Sequence, residues 1–204
     1  MRKILVASTN PGKLKELREM LGGDIEWVGL SDFPNVGEIE EDGKTFAENA
    51  RKKAIGYAKA TGLWTLADDS GLVVDALGEQ PGVKSARFSG VEEANRGLID
   101  HKNMAKVLKL LEGVPKEKRT ARFMCCLCLA TPEKVMIETS GKLEGTIIDK
   151  PAGENGFGYD PIFFVPKLNK TVAQMTSEEK NTISHRGNAI RKIKLQLEKL
   201  LRKV

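Results

Sequence analysis

Two aspartates side by side, Asp68-Asp69, close a short apolar run at Thr65 to Ala67 and lead into Ser70-Gly71. Adjacent carboxylates at a strand end repel each other unless a proton or a cation neutralises them, and hard oxygen ligands with open positions suit Mg2+ or Mn2+. A second acidic group, Glu38, Glu40, Glu41 and Asp42, precedes a helix. There it can join the first group around a metal, or it can be a solvated face matched to the helix dipole. Near the start, Ser8-Thr9-Asn10-Pro11-Gly12-Lys13 joins a short strand to a helix. Free backbone N–H groups, the helix dipole and one lysine make an anion site there, with phosphate as the obvious guest; the same residues also suit an ordinary capped turn with a solvated lysine.

Two later segments carry recognition chemistry. In Gly156-Phe157-Gly158-Tyr159-Asp160-Pro161, two glycines let a loop present Phe157 or Tyr159 as a flat stacking surface while Asp160 accepts hydrogen bonds from a ring edge. Glycine-aromatic turns also occur as plain core edges. The segment is no dinucleotide fingerprint, because the third glycine is missing and no helix follows. Ser184-His185-Arg186-Gly187, with Lys180 upstream, supplies donors for a base carbonyl or a phosphate, although a single histidine is commonly structural or solvated. Gly43-Lys44-Thr45 resembles the end of a P-loop, but Gly37 is one residue too far away and the intervening Glu38 to Asp42 would set carboxylates against phosphates. Arg51-Lys52-Lys53 and the lysine-rich C-terminal helix lack interleaved aromatics, which disfavours a nucleic-acid surface.

The elements that must position these residues follow from periodicity. Ile4 to Ser8 reads as a strand, followed by a helix with Leu14, Leu17 and Leu21 on one face; Asn10 or Thr9 can cap it and Pro11 suits its first position. Thr45 with Glu48 three residues on is a capping-box pattern opening a helix that stops near Thr61-Gly62. Thr65 to Ala67 is a strand, Leu98 to Leu111 a helix, and further strands fall at Ala121 to Ala130, Lys134 to Ser140 and Ile162 to Val165. A last helix starts near Gly187 with Ile190, Ile193, Leu197, Leu200 and Leu201 inward. Helices and strands mix along the whole chain, so the expected class is α/β, with a long mixed sheet rather than a purely doubly wound one.

The chain has 204 residues, enough for one sizeable core, and 33 basic against 28 acidic residues give a net charge of +5 with both signs interleaved. That balance does not demand a polyanion. No run of about 18 apolar residues exists to span a bilayer, and Ile4 to Ala7 is too short for a signal peptide, so a cytoplasmic protein without membrane contact is expected. Cys125, Cys126 and Cys128 lack paired metal-ligand spacing, which leaves thiols buried in a central strand of a reduced protein.

Taken together, six segments resemble the inosine triphosphate pyrophosphatase family, also called XTP/dITP diphosphatases: STNPGK (8–13), TFAENARKKA (45–54), ADDSGL (67–72), PGVKSARFSG (81–90), GFGYDPIFF (156–164) and SHRG (184–187). They stand in family order over nearly the whole chain. The resemblance implies one domain spanning 1–204, with a long mixed sheet flanked by helices in two lobes and the active cleft between them, in a homodimer. It implies Mg2+-dependent hydrolysis, with Mn2+ as a substitute, of ITP, dITP, XTP or dXTP to the monophosphate and pyrophosphate, cleansing the nucleotide pool. By position it makes Asp69, Lys13 and Lys53 catalytic. It sets Ser8, Thr9, Asn10, Pro11, Gly12, Lys13 and Ser70 on substrate, with Phe157, Gly158, Tyr159, Asp160, Lys180, His185 and Arg186 on the base. Asp69, Asp68, Glu40 and Glu41 become the candidate metal ligands. Two other readings compete, a Maf-like nucleotide pyrophosphatase of different base preference, which the GFGYDP and SHRG segments disfavour, and a module that binds nucleotide without cleaving it.

Overall fold

The computed structural model describes residues 2–21, 25–92 and 95–202; the side chains of Arg2, Pro11, Leu14, Lys15 and Arg18 lie outside the description. Strands β1 (Arg2–Ala7), β2 (Ile25–Gly29), β3 (Trp64–Val74), β4 (Thr120–Ala130), β5 (Val135–Ile147), β6 (Phe163–Val165) and β7 (Lys170–Thr171) form one sheet in the order β2-β1-β3-β4-β5-β6-β7. The sheet is mixed: β1 runs parallel to β2 and β3, whereas β6 is antiparallel to β5 and β7. The helices are α1 (Pro11–Leu21), α2 (Phe46–Thr61), α3 (Arg96–Leu110), α4 (Ser177–Ile183) and α5 (His185–Leu201). None among the described residues is long and apolar enough to cross a membrane.

The chain divides into two compact units. The first comprises the residues up to Asp69, Cys125–Gly141 and those from His185 on. Successive strand residues point to opposite faces of a sheet, and this unit uses both faces. Ile4, Val6, Leu66, Cys125, Leu127 and Leu129 pack with Leu17 and Leu21 of α1 and with Ile190, Ile193 and Leu197 of α5. Leu5, Ala7, Ala67, Cys128 and Ala130 pack with Ala50, Ala54 and Tyr57 of α2. Burying a leucine is worth about 1.5–3 kcal/mol, so Leu17 and Leu21 are the main anchors of α1. The second unit, Ser70–Met124 with Lys142–Ser184, has its own core in which Leu72, Val74, Val107, Leu111, Phe123, Ile162 and Phe163 are enclosed.

Three features depart from the expected elements. β3 does not stop at the aspartates but runs through Asp68 and Asp69 to Val74. The two acids point to opposite faces, and each finds cations there, so their mutual repulsion does not end the strand. β5 continues past Ser140 to Ile147, because Gly141 lets the first turn of α5 press against it; a Cβ at Gly141 would meet the His185 carbonyl oxygen at 2.1 Å. β2, β7 and α4 join the expected set, and α5 opens at His185. The three cysteines are free and lie on β4, with Cys125 and Cys128 buried and Cys126 half-buried. Burial pushes Cys126 up to about 11 and Cys128 to about 12, so both thiols stay protonated.

Candidate active site

β1 and β3 are parallel with Ala7 opposite Ala67, and β1 ends there while β3 goes on. Chain leaving β1 therefore turns away beside Asp68, at the carboxyl end of a parallel strand, where open α/β sheets bind ligands. Ser8 Oγ accepts from the Asn10 N–H at 3.2 Å, and Asn10 Oδ1 accepts from the Lys13 N–H at 3.3 Å. Asn10 is thus the cap of α1 and Pro11 takes its first position, where no N–H is needed. Pro11 and Gly12 belong to the first turn of α1, but their surroundings lie outside the described residues. Thr9 is exposed on the connecting turn.

On the α1–α5 face, Lys13 Nζ pairs with Asp68 Oδ1. Asp68 Oδ2 takes the Arg186 Nε–H at 3.2 Å and the Cys125 thiol at 3.1 Å. Arg186 reaches through Nη1 to Glu16 on α1. Burial by itself would raise Asp68, but the charges of Lys13 and Arg186 overcome it and hold the carboxyl far below the usual range. Burial likewise works against the Arg186 charge, and Asp68 with Glu16 overcomes it, raising that pKa further. Both oxygens of Asp68 are engaged by protein donors. Arg186 is 1% exposed, with Nε given to Asp68 and Nη1 to Glu16, so it holds Asp68 in place. Glu16, three residues after Lys13, was not expected; i, i+3 neighbours share a helix face, and that spacing was the available signal.

On the α2 face the capping box is formed: Thr45 Oγ1 accepts from the Glu48 N–H at 3.1 Å, and Glu48 Oε2 accepts from the N–H groups of Thr45 at 3.2 Å and Lys44 at 2.7 Å. Buried Asn49 accepts the Gly43 N–H at 2.8 Å. These bonds fix the turn that delivers Glu41. Lys53, one turn after Asn49, places Nζ 3.2 Å from Glu41 and 3.8 Å from Asp69. Glu40 is exposed, and the carboxylate that meets Lys53 from this segment is Glu41, so Glu40 is not the member of the acidic run that joins the cluster. Asp69 is pushed up to about 6, first by burial and further by the charges of Glu41 and Asp68, against the opposing pull of Lys53 and Lys13.

This shift sets a stability prediction. Asp69 loses its proton near pH 6 in the folded chain and near its ordinary 3.8 in the unfolded one. The folded protein therefore binds more protons between those values, and its stability falls as pH rises through about 4 to 6. Asn carries no such charge, so without divalent metal Asp69→Asn is expected to exceed the wild type in stability at pH 8 by on the order of 2 kcal/mol. Thermal unfolding in a chelating buffer at pH 8 and pH 4 checks this; equal Tm values at pH 8 would contradict it.

In the second unit, Asp160 Oδ2 accepts from the Phe157 N–H at 2.9 Å and from Lys180 Nζ at 2.8 Å. Lys180 Nζ also lies 4.4 Å from the centre of the Phe157 ring. Gly156, at φ +79°, leaves room for this closure, since a Cβ there would meet Asp160 Oδ2 at 2.0 Å. The two aromatics separate. Phe157 is half-buried, whereas Tyr159 is 5% exposed and donates its hydroxyl to the Ser85 carbonyl at 2.7 Å. Burial, with the charge of Asp100, raises the Tyr159 pKa and keeps that hydroxyl protonated. Tyr159 is therefore a buttress and not the exposed stacking face. Gly158 donates its N–H to Asp100 on α3 at 2.9 Å, a partner 58 residues away that no sequence pattern announced. Ser70 is half-buried on β3. His185, in the first unit, is 6% exposed at the first position of α5.

Among the described residues no cluster of three or more His, Cys, Asp or Glu side chains is arranged to hold a metal. Glu41 and Asp69, both within reach of Lys53, nevertheless fit Mg2+, which is usually held by one or two carboxylates with the remaining positions left to water and substrate phosphate.

A family model described as the Ham1 family matches residues 4–196. The dITP/XTP pyrophosphatase of Listeria monocytogenes (serotype 4b, strain F2365) is 48% identical over 205 residues, covering 100% of this chain and 98% of the relative. That of Geobacter sulfurreducens is 51% identical over 195 residues, covering 95% and 96%. The structure of a HAM1 protein from Coxiella burnetii superposes with a TM-score of 0.87 at 41% identity, over 98% of this chain and 100% of the other.

Proposed function

The chain belongs to the Ham1 family, and from that premise we infer that it is a dITP/XTP pyrophosphatase. It is a hydrolase acting on an acid anhydride, and the reaction is a purine nucleoside triphosphate plus water giving the monophosphate and pyrophosphate. The observation that carries this reading is the Glu41–Lys53–Asp69 group on one face of β3, with Lys13 and the capped start of α1 served by Asp68 on the other. Cations and helix N–H groups suit a triphosphate, and a carboxyl raised to about 6 suits proton acceptance.

In this scheme the start of α1, from Ser8 to Lys13, binds phosphate oxygens, and Lys13 and Lys53 offset charge that accumulates on the leaving pyrophosphate. Asp69 takes the proton of a water that attacks the α-phosphorus as the bond to the β-phosphate oxygen breaks. Glu41 and Asp69 would hold Mg2+, or Mn2+ in its place, which when bound supplies charge compensation and Lewis acidity. Phe157 offers a ring face to the purine, while Lys180 and His185 offer donors to its 6-oxo group; Asp160, Gly158 and Ser70 complete the base and sugar surroundings. A site that presents donors to O6 disfavours an amino group there, which discriminates by ~10⁴-fold where polar partners are buried. Tyr159 and Arg186 serve this scheme from behind, through the loop and through Asp68.

The two units are proposed to act as one domain spanning 1–204, in a homodimer. The free, protonated cysteines suit a reducing, cytoplasmic setting. Pyrophosphate release from dITP, ITP, XTP, dGTP and dATP, with and without Mg2+, tests the reading. Turnover of dITP and XTP with Mg2+ and little of dATP is expected; binding without turnover would replace the enzyme with a nucleotide-holding module, and a preference for pyrimidine or methylated bases would favour the Maf-like alternative.

A further inference from the structure

The loop from Gly156 to Asp160 presents two successive backbone N–H groups, and a carboxylate stops each of them. Phe157 N–H goes to Asp160 Oδ2 at 2.9 Å and Gly158 N–H to Asp100 Oδ2 at 2.9 Å. The first is a local bond within the loop. The second ties the loop to a helix that begins far away in sequence.

The other oxygen of Asp100 is also assigned. Oδ1 faces Arg96 Nε at 3.3 Å, across one turn of α3. Arg96 is the first residue of that helix, where the positive end of the dipole disfavours a cation. The helix is capped independently by Asn95, whose side chain accepts from the Gly97 N–H at 2.9 Å. Arg96 thus pairs with one carboxylate oxygen of Asp100 while the other accepts from Gly158. One turn on, Asn103 lies on the same side of α3, accepts the Ser89 N–H at 2.7 Å and donates to the Ser85 carbonyl, the same oxygen that receives the Tyr159 hydroxyl. α3 thus holds the loop at Gly158 directly and at Tyr159 through Ser85.

We propose that Asp100 is a positioning residue for purine recognition, setting the plane of Phe157 and the reach of Lys180 by fixing the Gly158 backbone. This deepens the assignment of the loop to the base and rests on that assignment. Asp100 touches neither phosphate nor the attacking water in this account. Its loss should weaken binding of the base and leave binding of pyrophosphate alone.

The test is a comparison of Asp100→Ala, Asp100→Asn and wild type, each with its Tm. Binding of IMP is read by calorimetry, inhibition by pyrophosphate as Ki, and dITP hydrolysis as separate kcat and KM. For Asp100→Ala, a backbone bond to a charged acceptor is lost, and IMP Kd and dITP KM should rise about 10-fold. The pyrophosphate Ki and kcat should stay within about 2-fold, and the dITP-over-dATP preference should fall. Asp100→Asn keeps an acceptor and should recover most of the IMP affinity. Equal weakening of IMP and pyrophosphate, or unchanged IMP binding in Asp100→Ala, overturns the inference while the loop assignment stands. Wild-type protein that binds pyrophosphate and not IMP overturns the loop assignment, and the inference with it.

Discussion

Asp69→Asn is expected to lower kcat for dITP by at least ~10²-fold, the scale on which a general base or a charge partner is lost. The substitution preserves size and the neighbourhood of Lys53 but cannot accept a proton. Its carboxyl is well suited to that task because burial and neighbouring Glu41 raise it to about 6, so at neutral pH it is ionised yet basic enough to take a proton from water. The wild-type rate should fall at low pH as this carboxyl takes up a proton. Steady-state kinetics of both proteins between pH 5 and 9 checks the assignment. A variant with near-normal turnover would transfer the proton-accepting role to another group, and a variant that is slow but unusually stable at pH 8 would match both expectations for this residue.

Arg186→Ala should cost the fold about 3–5 kcal/mol, the usual penalty for removing one partner of an enclosed ion pair. For a chain of this size that lowers Tm by roughly 10 °C. Asp68 would keep Lys13 but lose the guanidinium, and Glu16 would be left facing a cavity. Arg186→Lys retains the charge without the planar fork that spans two carboxylates, so it should recover only part of the loss. Thermal unfolding without nucleotide is the direct measurement. If Arg186→Ala melted with the wild type and altered only the dITP-over-dATP preference, the residue would return to the role of base reader.

How much of this was legible in advance depended on whether the deciding partner lay nearby in sequence. The turn from β1 into α1 was readable because an apolar run, Asn10 and Pro11 state strand, cap and first helical position within a few residues. The same holds for the Thr45–Glu48 box. The end of β3 was misread because adjacent acids look like a strand terminus until their cations are known, and Arg186 stands 118 residues from Asp68. Phe157 and Tyr159 could not be told apart, since either suits a glycine-bounded turn; the choice is made by Ser85, 74 residues from Tyr159. Asp100 gave no signal at all, because an acid paired one turn away from an arginine is what a solvated helix face also looks like.

The alternation of β3 has one more implication. Asp68 and Asp69 are chemically identical and covalently joined, yet the strand acts as a wall with one acid on each side of it. Deleting one residue between Thr65 and Asp68 would bring Asp69 to the Lys13–Arg186 side and Ser70 to the Lys53 side, whereas inserting one there would bring Asp68 to the Lys53 side and leave Lys13 and Arg186 without their acid. A slip of one residue therefore costs one half of the chemistry, and its direction decides which half.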